Sequence, residues 1–147
     1  MHEQHKKVYV FDVDGTLMNI NHRRHHVSGP EKNWNAFMDE MVNDTPNEWV
    51  FDLAHQCASN GTLLIVSGRN ERHREITEKQ LSELDYAKLF LRPDDDYEPD
   101  HVFKRTILAM MQRFELHPTF VVDDRPSVIQ MWRSEGVNCL DVGGWIE

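Results

Sequence analysis

Apolar positions along the chain recur with two periods. Lys7–Phe11 (KVYVF) and Thr62–Gly68 (TLLIVSG) are nearly continuous apolar runs, rich in β-branched residues. With no polar alternation, they predict strands covered on both faces, as in a parallel sheet. Thr119–Val122 and Val137–Val142 read as further strands, and Lys88–Leu91 as a short one. Between these runs the period lengthens. In NWNAFMDEMVND, Trp34, Phe37, Met38 and Met41 stand at i, i+3, i+4 and i+7. That spacing predicts a helix over 33–43 whose apolar face packs inward. Other helices are predicted over Glu48–Ser59, Asn70–Leu84, 101–115 and Ser127–Glu135, with Asn47 capping the first of these and Asn60-Gly61 stopping it. Residues 18–30 and 94–99 read as loops, and Thr45-Pro46-Asn47 as a break.

Strands alternate with helices throughout. The expected fold is one α/β domain over residues 1–147, with a mainly parallel, doubly wound sheet. In such sheets ligands bind beyond the carboxyl ends of the strands. The residues leaving those ends are Asp12 and Asp14, Ser67 and Arg69, and Asp123 and Asp124.

Composition narrows the class. Hydrophobic residues make up 39% and charged residues 28%, a soluble globular balance. No apolar run approaches the roughly 20 residues of a membrane span. The start, MHEQHKKVYV, does not read as a secretory signal. Cys57 and Cys139 form no CxxC and read as small buried hydrophobes in a reducing, cytoplasmic setting. The net charge of −9 speaks against an extended nucleic-acid-binding surface, though not against a local grip on one phosphate. Oligomeric state leaves no mark in the sequence.

The charge also sharpens a chemical question. Four carboxylates at one sheet edge repel each other unless a cation sits among them. Oxygen ligands suit magnesium, which keeps part of its shell for water and phosphate. Residues two apart on an extended segment point the same way. Asp12 is therefore placed to attack phosphorus and Asp14 to handle the proton. Ser67 and a lysine would hold the phosphoryl oxygens.

The set DVDGT (Asp12–Thr16), VSGR (Val66–Arg69), Lys104 in HVFKRT and VVDDRPSV (Val121–Val128) resembles the four motifs of the haloacid-dehalogenase (HAD) superfamily of phosphohydrolases. The resemblance covers about residues 8–142. It is closest to the phosphatase domain of bacteriophage-type polynucleotide kinase/phosphatase. That group has an arginine eleven residues after the nucleophile, here Arg23, and an aspartate four before its lysine, here Asp100. Its DDR, Met-Trp-Arg and GV-x-C segments match Asp123-Asp124-Arg125, Met131-Trp132-Arg133 and Gly136–Cys139.

The resemblance implies a Rossmann-like HAD sheet with 18–46 as a small helical cap-like insertion. It implies a magnesium-dependent phosphatase for a 3′-phosphorylated nucleotide or nucleic-acid end. Asp12, Asp14, Ser67, Lys104 and Asp123 would be catalytic. Thr16, Arg23, Gly68, Arg69 and Asp100 would serve the substrate, with Asp100 positioning Lys104. Magnesium would be held by the Asp12 carboxylate, the Asp14 backbone carbonyl and the Asp124 carboxylate, with Asp123 supporting the ligands. No GxxxxGK[ST] phosphate loop occurs in these 147 residues.

Other readings stand beside this one. The same machinery serves a 5′-nucleotide or another small phosphomonoester. A non-catalytic binding module would be marked by loss of Asp12, Asp14, Lys104 or the acidic pair, all of which are present. His22, His25 and His26 in NHRRHH fit no strong zinc spacing. Asp94-Asp95-Asp96 reads as a solvated loop.

Overall fold

The structure, a computed structural model, describes residues 6–143. Five parallel strands form the main sheet: β1 (Val8–Phe11), β4 (Thr62–Asn70), β5 (Lys88–Arg92), β6 (Phe120–Asp123) and β7 (Cys139–Asp141). Their order is β5-β4-β1-β6-β7. Chain order reverses at β1, so the crevice beside its carboxyl end is the topological switch point. Register aligns Phe11 with Ile65 on one side and Val122 on the other. The polar residues after these three strands therefore leave the sheet at one level.

The alternation of β1 explains why it lacks polar positions. Tyr9 and Phe11 face one apolar layer, with Val50, Phe51, Ala54 and Cys57 of α2 (Glu48–Asn60). Val8 and Val10 face the opposite layer. There they meet Phe103, Leu108 and Met111 of α4 (Asp100–Arg113), and Val128, Met131 and Trp132 of α5 (Pro126–Ser134). Each fully buried aliphatic or Phe side chain contributes roughly 1.5–3 kcal/mol, so these two layers are the main apolar stabilisation of the switch point. The doubly wound, mainly parallel α/β fold expected from the strand–helix alternation is the one observed.

Three local expectations need correction. Residues 18–30 are not simply a loop: β2 (Met18–Asn19) is followed by a 3₁₀ turn over Asn21–His26. β2 pairs antiparallel with β3 (Thr45–Pro46), which the sequence suggests only as a break. This ribbon ties the base of the inserted segment. Asn47 stands at the start of α2, but its side chain makes no cap bond; Asn47 Nδ2 instead donates to the Thr16 carbonyl at 2.8 Å. That bond fastens the ribbon to the turn after β1.

The helix of the insertion is also shorter than its apolar period. α1 (Trp34–Asp39) gives way to a 3₁₀ turn over Glu40–Asn43. Phe37 and Met41 are buried, Met38 is half-buried and Trp34 is exposed. The predicted helix over Asn70–Leu84 begins late because β4 runs on to Asn70. A 3₁₀ turn follows at Glu71–His73, then α3 (Arg74–Gln80). Among the described residues, no helix is long and apolar enough to cross a membrane.

Candidate active site

The turn after β1 begins with Asp12, buried, and ends with Gly15 at φ +79°. Glycine is required there twice over. The left-handed backbone disfavours a side chain, and a Cβ would lie 2.1 Å from Asp124 Oδ2. Gly15 thus lets the turn after β1 close onto the turn after β6.

That closure creates an acidic cluster. Carboxylate oxygens of Asp12, Asp123 and Asp124 lie within 4.8 Å of one another, all three residues buried. Lys104 spans the cluster from α4: its Nζ donates to Asp12 Oδ1 at 2.9 Å and to Asp123 Oδ2 at 3.0 Å. Asp123 Oδ2 also accepts from Trp132 Nε1 at 3.3 Å, and Asp123 Oδ1 from the Asp124 backbone N–H at 2.8 Å. Asp123 is thereby held by donors from three directions. The Thr16 hydroxyl lies 3.2 Å from both Asp12 Oδ2 and Asp124 Oδ1.

The charges carry their cost. Burial, reinforced by Asp123 and Asp124, pushes the Asp12 carboxyl well above its ordinary range despite Lys104. Burial opposes the Lys104 charge, but Asp12, Asp123 and Asp100 outweigh it and hold the ammonium above its ordinary value. Lys104, and Arg24 with its Nη2 3.6 Å from Asp124 Oδ2, face three carboxylates that form an all-oxygen donor set. A hard divalent cation fits such a set.

Asp14 points elsewhere, into a network missed at the sequence level. Arg69 donates to Asp14 Oδ1 through Nη2 at 2.7 Å and Nε at 3.0 Å, and Arg23 Nη2 adds a bond at 3.0 Å. Both guanidiniums also grip Asp44, a buried residue at the end of the inserted segment. Arg23 Nε reaches Asp44 Oδ1 and Nη2 reaches Oδ2, each at 2.8 Å; Arg69 Nη2 reaches Oδ2 at 3.0 Å. His22 Nε2 lies 2.7 Å from Asp44 Oδ1. Phe37 lies under the Arg23 guanidinium, 4.3 Å from ring centroid to Cζ. Burial opposes ionisation of Asp14, but Arg69 and Arg23 outweigh it and hold its carboxyl below the ordinary range.

Arg23, Arg69 and Thr16, expected to serve the substrate, are all buried, and the arginines spend their donors on protein acceptors. Arg69 Nη1 bonds Thr77 Oγ1 at 3.0 Å and Gln80 Oε1 at 2.7 Å, while Arg23 Nη1 bonds the Phe37 carbonyl at 3.3 Å. Two arginines in facing positions need a buried acid between them, and Asp44 supplies it. Nothing in the sequence around Asp44 marks it, because it precedes a stretch that reads only as a break.

Ser67 and Gly68 sit where β4 loses register with β5. Val66 pairs with Phe90, but the next pair is Asn70 with Arg92, so β4 carries extra residues across Ser67–Arg69. Such a bulge re-aims side chains at a strand end. Ser67 Oγ accepts the Arg69 backbone N–H at 3.1 Å, and Arg92 Nε donates to the Gly68 carbonyl at 3.1 Å. Asp100 does not hydrogen-bond Lys104. Its carboxylate pairs with Arg92 Nη2 and, at 2.9 Å, with Arg125 Nη1, and it acts on Lys104 through charge alone. His22 lies against Glu40 and Asp44, His26 lies against Glu40, and the His25 ring packs on that of His26.

A family model, that of the phosphatase domain of polynucleotide kinase PNKP, matches residues 6–144. The chain belongs to this family. As a PNKP-type phosphatase domain of the HAD superfamily, it is a hydrolase acting on phosphate esters. A chain of the Pnkp1/Rnl/Hen1 RNA repair complex shares 28% identity and a TM-score of 0.76 over 95% of this domain and 44% of that chain. The domain thus spans less than half of that relative's length. A hydrolase from Streptococcus pneumoniae TIGR4 shares the fold at 14% identity and TM-score 0.65, over 93% and 94% of the two chains. So does a HAD family enzyme from Bacteroides thetaiotaomicron, crystallised as a variant with magnesium and inorganic phosphate, at 10% identity and TM-score 0.59 over 97% and 96%.

Proposed function

We propose that this domain removes the 3′-phosphate from a nucleotide or nucleic-acid end, through a phosphorylated Asp12 and with magnesium. The observation that carries the reading is the separation of the two aspartates of DVDGT. Asp12 lies in the carboxylate cluster on Lys104, while Asp14, two residues on, is tethered through one oxygen to two buried arginines. One carboxylate is set for attack and its neighbour for proton transfer.

In the first step an Asp12 carboxylate oxygen attacks phosphorus and the bond to the 3′-oxygen breaks. Asp14 gives its proton to that oxygen, which leaves as a hydroxyl. In the second step Asp14, now a carboxylate, takes a proton from water. The water oxygen attacks phosphorus, and Asp12 leaves as a carboxylate with inorganic phosphate as product. Asp14 ends protonated, so the cycle closes. Because all three arginine bonds converge on Oδ1, Oδ2 is the atom that moves the proton. An incoming phosphate adds negative charge beside Asp14 and opposes the pull of the arginines, which favours the protonated form needed first.

The carboxylates of Asp12 and Asp124 and the Asp14 backbone carbonyl would hold magnesium, and Asp123 would hold Lys104 and the turn. The bound ion would neutralise the phosphoryl oxygens and the surplus negative charge of the cluster. Ser67, Gly68 and Lys104 would receive the remaining phosphoryl oxygens. The family match and the RNA-repair relative support a nucleic-acid end as substrate. The residues of the inserted segment, 18–46, would cap the site and supply part of its specificity. The net charge of −9 favours the alternative, a mononucleotide or other small phosphomonoester.

The test is a hydrolysis screen with magnesium and with EDTA. It compares 3′- and 5′-nucleotides, 3′-phosphorylated DNA and RNA oligomers, sugar phosphates and an aryl phosphate. Magnesium-dependent release from 3′-phosphates above the rest supports the reading. Preference for 5′-nucleotides or sugar phosphates overturns the substrate, and full activity in EDTA overturns the metal.

A further inference from the structure

Resting on the proposed role of Asp14 as general acid, the geometry of the inserted segment bears on the chemistry itself. The 3₁₀ turn over Asn21–His26 sends His22 and Arg23, consecutive in the chain, to one carboxylate. Asp44 Oδ1 takes Arg23 Nε at 2.8 Å and His22 Nε2 at 2.7 Å, while Oδ2 takes Arg23 Nη2 at 2.8 Å and Arg69 Nη2 at 3.0 Å. Each oxygen thus has two partners, which fills the acceptor capacity of a carboxylate. A carboxylate gripped by two guanidiniums only accepts, so the hydrogen of the imidazole bond is assigned to His22 Nε2. The other ring nitrogen, Nδ1, faces Glu40 Oε2 at 3.9 Å, and Glu40 Oε1 lies 3.0 Å from His26 Nε2. His22 therefore stands between two carboxylates of the insertion, Glu40 half-buried and Asp44 inside.

The His22 side chain is 37% exposed, and the Asp44 side chain it bonds is 0% exposed. The ring thus stands on the solvent side of that carboxylate. Without it, water would reach Asp44, and the rise in local dielectric would loosen its hold on the arginines. The same two arginines carry Asp14 by its Oδ1. We propose that His22 is a positioning residue for the proton transfer. By completing the donor set on Asp44 and keeping water from it, the imidazole fixes the two guanidiniums that aim Asp14. The insertion would then set up the general acid as well as cover the site. Because His22 acts through Asp44 and the arginines, its loss should fall on the protonation of the leaving group.

The experiment compares H22F, which keeps a ring and removes the donor, with H22Q, which returns an N–H at a similar reach. Values of kcat/KM are measured with magnesium on a 3′-phosphorylated nucleotide and on an aryl phosphate with an acidic phenol, below the Tm of every variant. H22F should lower kcat/KM on the nucleotide about tenfold, a fraction of the roughly 10²–10⁴ that a placed general acid supplies. The loss on the aryl phosphate should be several times smaller, and H22Q should recover most of the loss on the nucleotide. A merely structural histidine would lower both rates together. Equal factors on the two substrates, no loss in H22F, or an H22Q as slow as H22F would overturn the proposal. D14N, which removes the acid itself, should show the same split at larger size; no split in D14N overturns the role of Asp14 instead. NMR spectra resolved by imidazole nitrogen give a readout independent of turnover. His22 should carry its hydrogen on Nε2, shifted downfield by the Asp44 carboxylate, and a bare Nε2 would overturn the proposal. If the unaltered domain hydrolyses a 5′-nucleotide or sugar phosphate but no 3′-phosphate, the substrate assignment falls, and the same comparison on that alkyl ester still decides the role of His22.

Discussion

Arg69 Nη2 lies 2.7 Å from Asp14 Oδ1, and Arg69 Nε lies 3.0 Å from the same oxygen. Arg23 Nη2 adds a third bond from the other side at 3.0 Å. Three charged donors on one oxygen hold Asp14 in one orientation. In the proposed reaction the second oxygen would transfer the proton, and the arginines would aim the general acid rather than read the substrate.

This separates substrates by leaving group. On a 3′-phosphorylated nucleotide, whose alkoxide must be protonated as it leaves, Arg69→Ala should lower kcat by roughly 10²–10⁴, the worth of a placed general acid. On an aryl phosphate with an acidic phenol the loss should be several times smaller. Arg69→Lys, which keeps the charge but not the fork, should fall between. Steady-state rates on both substrates check this; equal losses would assign Arg69 to the transferred phosphate itself.

Asp44 joins the two arginines and should govern stability as well as rate. Removing one partner of a buried, hydrogen-bonded charge cluster costs about 3–5 kcal/mol. In a chain of 147 residues, each kcal/mol lowers Tm by about 2–4 °C. Asp44→Ala should melt at least about 6 °C lower, with Asp44→Asn less affected. A calorimetric scan decides it, and an unchanged Tm would mean the cluster closes without Asp44.

Much of this domain is legible in its sequence, for a physical reason. A strand covered on both faces must be apolar throughout, so Val8–Phe11 and the run through Leu63–Val66 declare themselves. Asp12, Asp14 and Ser67 follow those runs at once, and Asp123-Asp124 ends the apolar run of β6; all inherit that visibility. Asp44, Arg92 and Arg125 belong to no periodic pattern. They matter because of what folds against them: Asp44 closes on Arg23 and Arg69, while Arg92 fills the carbonyl left by the β4 bulge. The same limit explains Arg23. Its spacing from Asp12 is readable, but whether its guanidinium points to substrate or to Asp14 depends on the fold of the insertion.

Asp100 gives a pH signature. Burial raises its carboxyl, but Lys104, Arg125 and Arg92 outweigh burial and hold it below the ordinary range. A depressed folded-state value stabilises the protein above the unfolded pKa of about 3.9, and that contribution is lost as pH falls through the folded value. Urea unfolding at pH 6 and pH 3 should show a smaller acid-induced loss for Asp100→Asn than for the unaltered domain. The same loss in both would show that Asp100 carries no such linkage.

The cysteines should be inert. Burial, with Asp123 nearby, pushes the Cys139 thiol up to about 12, and burial alone raises Cys57. Only the thiolate reacts. Iodoacetamide at pH 8 should modify the native domain far more slowly than the urea-unfolded chain, as read by mass spectrometry. Rapid labelling of Cys139 in the native state would contradict its assigned environment.

The most direct test follows the phosphorus. The domain is mixed with magnesium and an oligonucleotide carrying a labelled 3′-phosphate, quenched in acid within one turnover, and the protein is examined for label. Label is expected on a peptide containing Asp12, lost on treatment with hydroxylamine. Neither label nor phosphate release is expected in Asp12→Asn, with Tm close to that of the unaltered domain. Release of phosphate at full rate with no label on the protein, or turnover by Asp12→Asn near the unaltered rate, would contradict attack by Asp12.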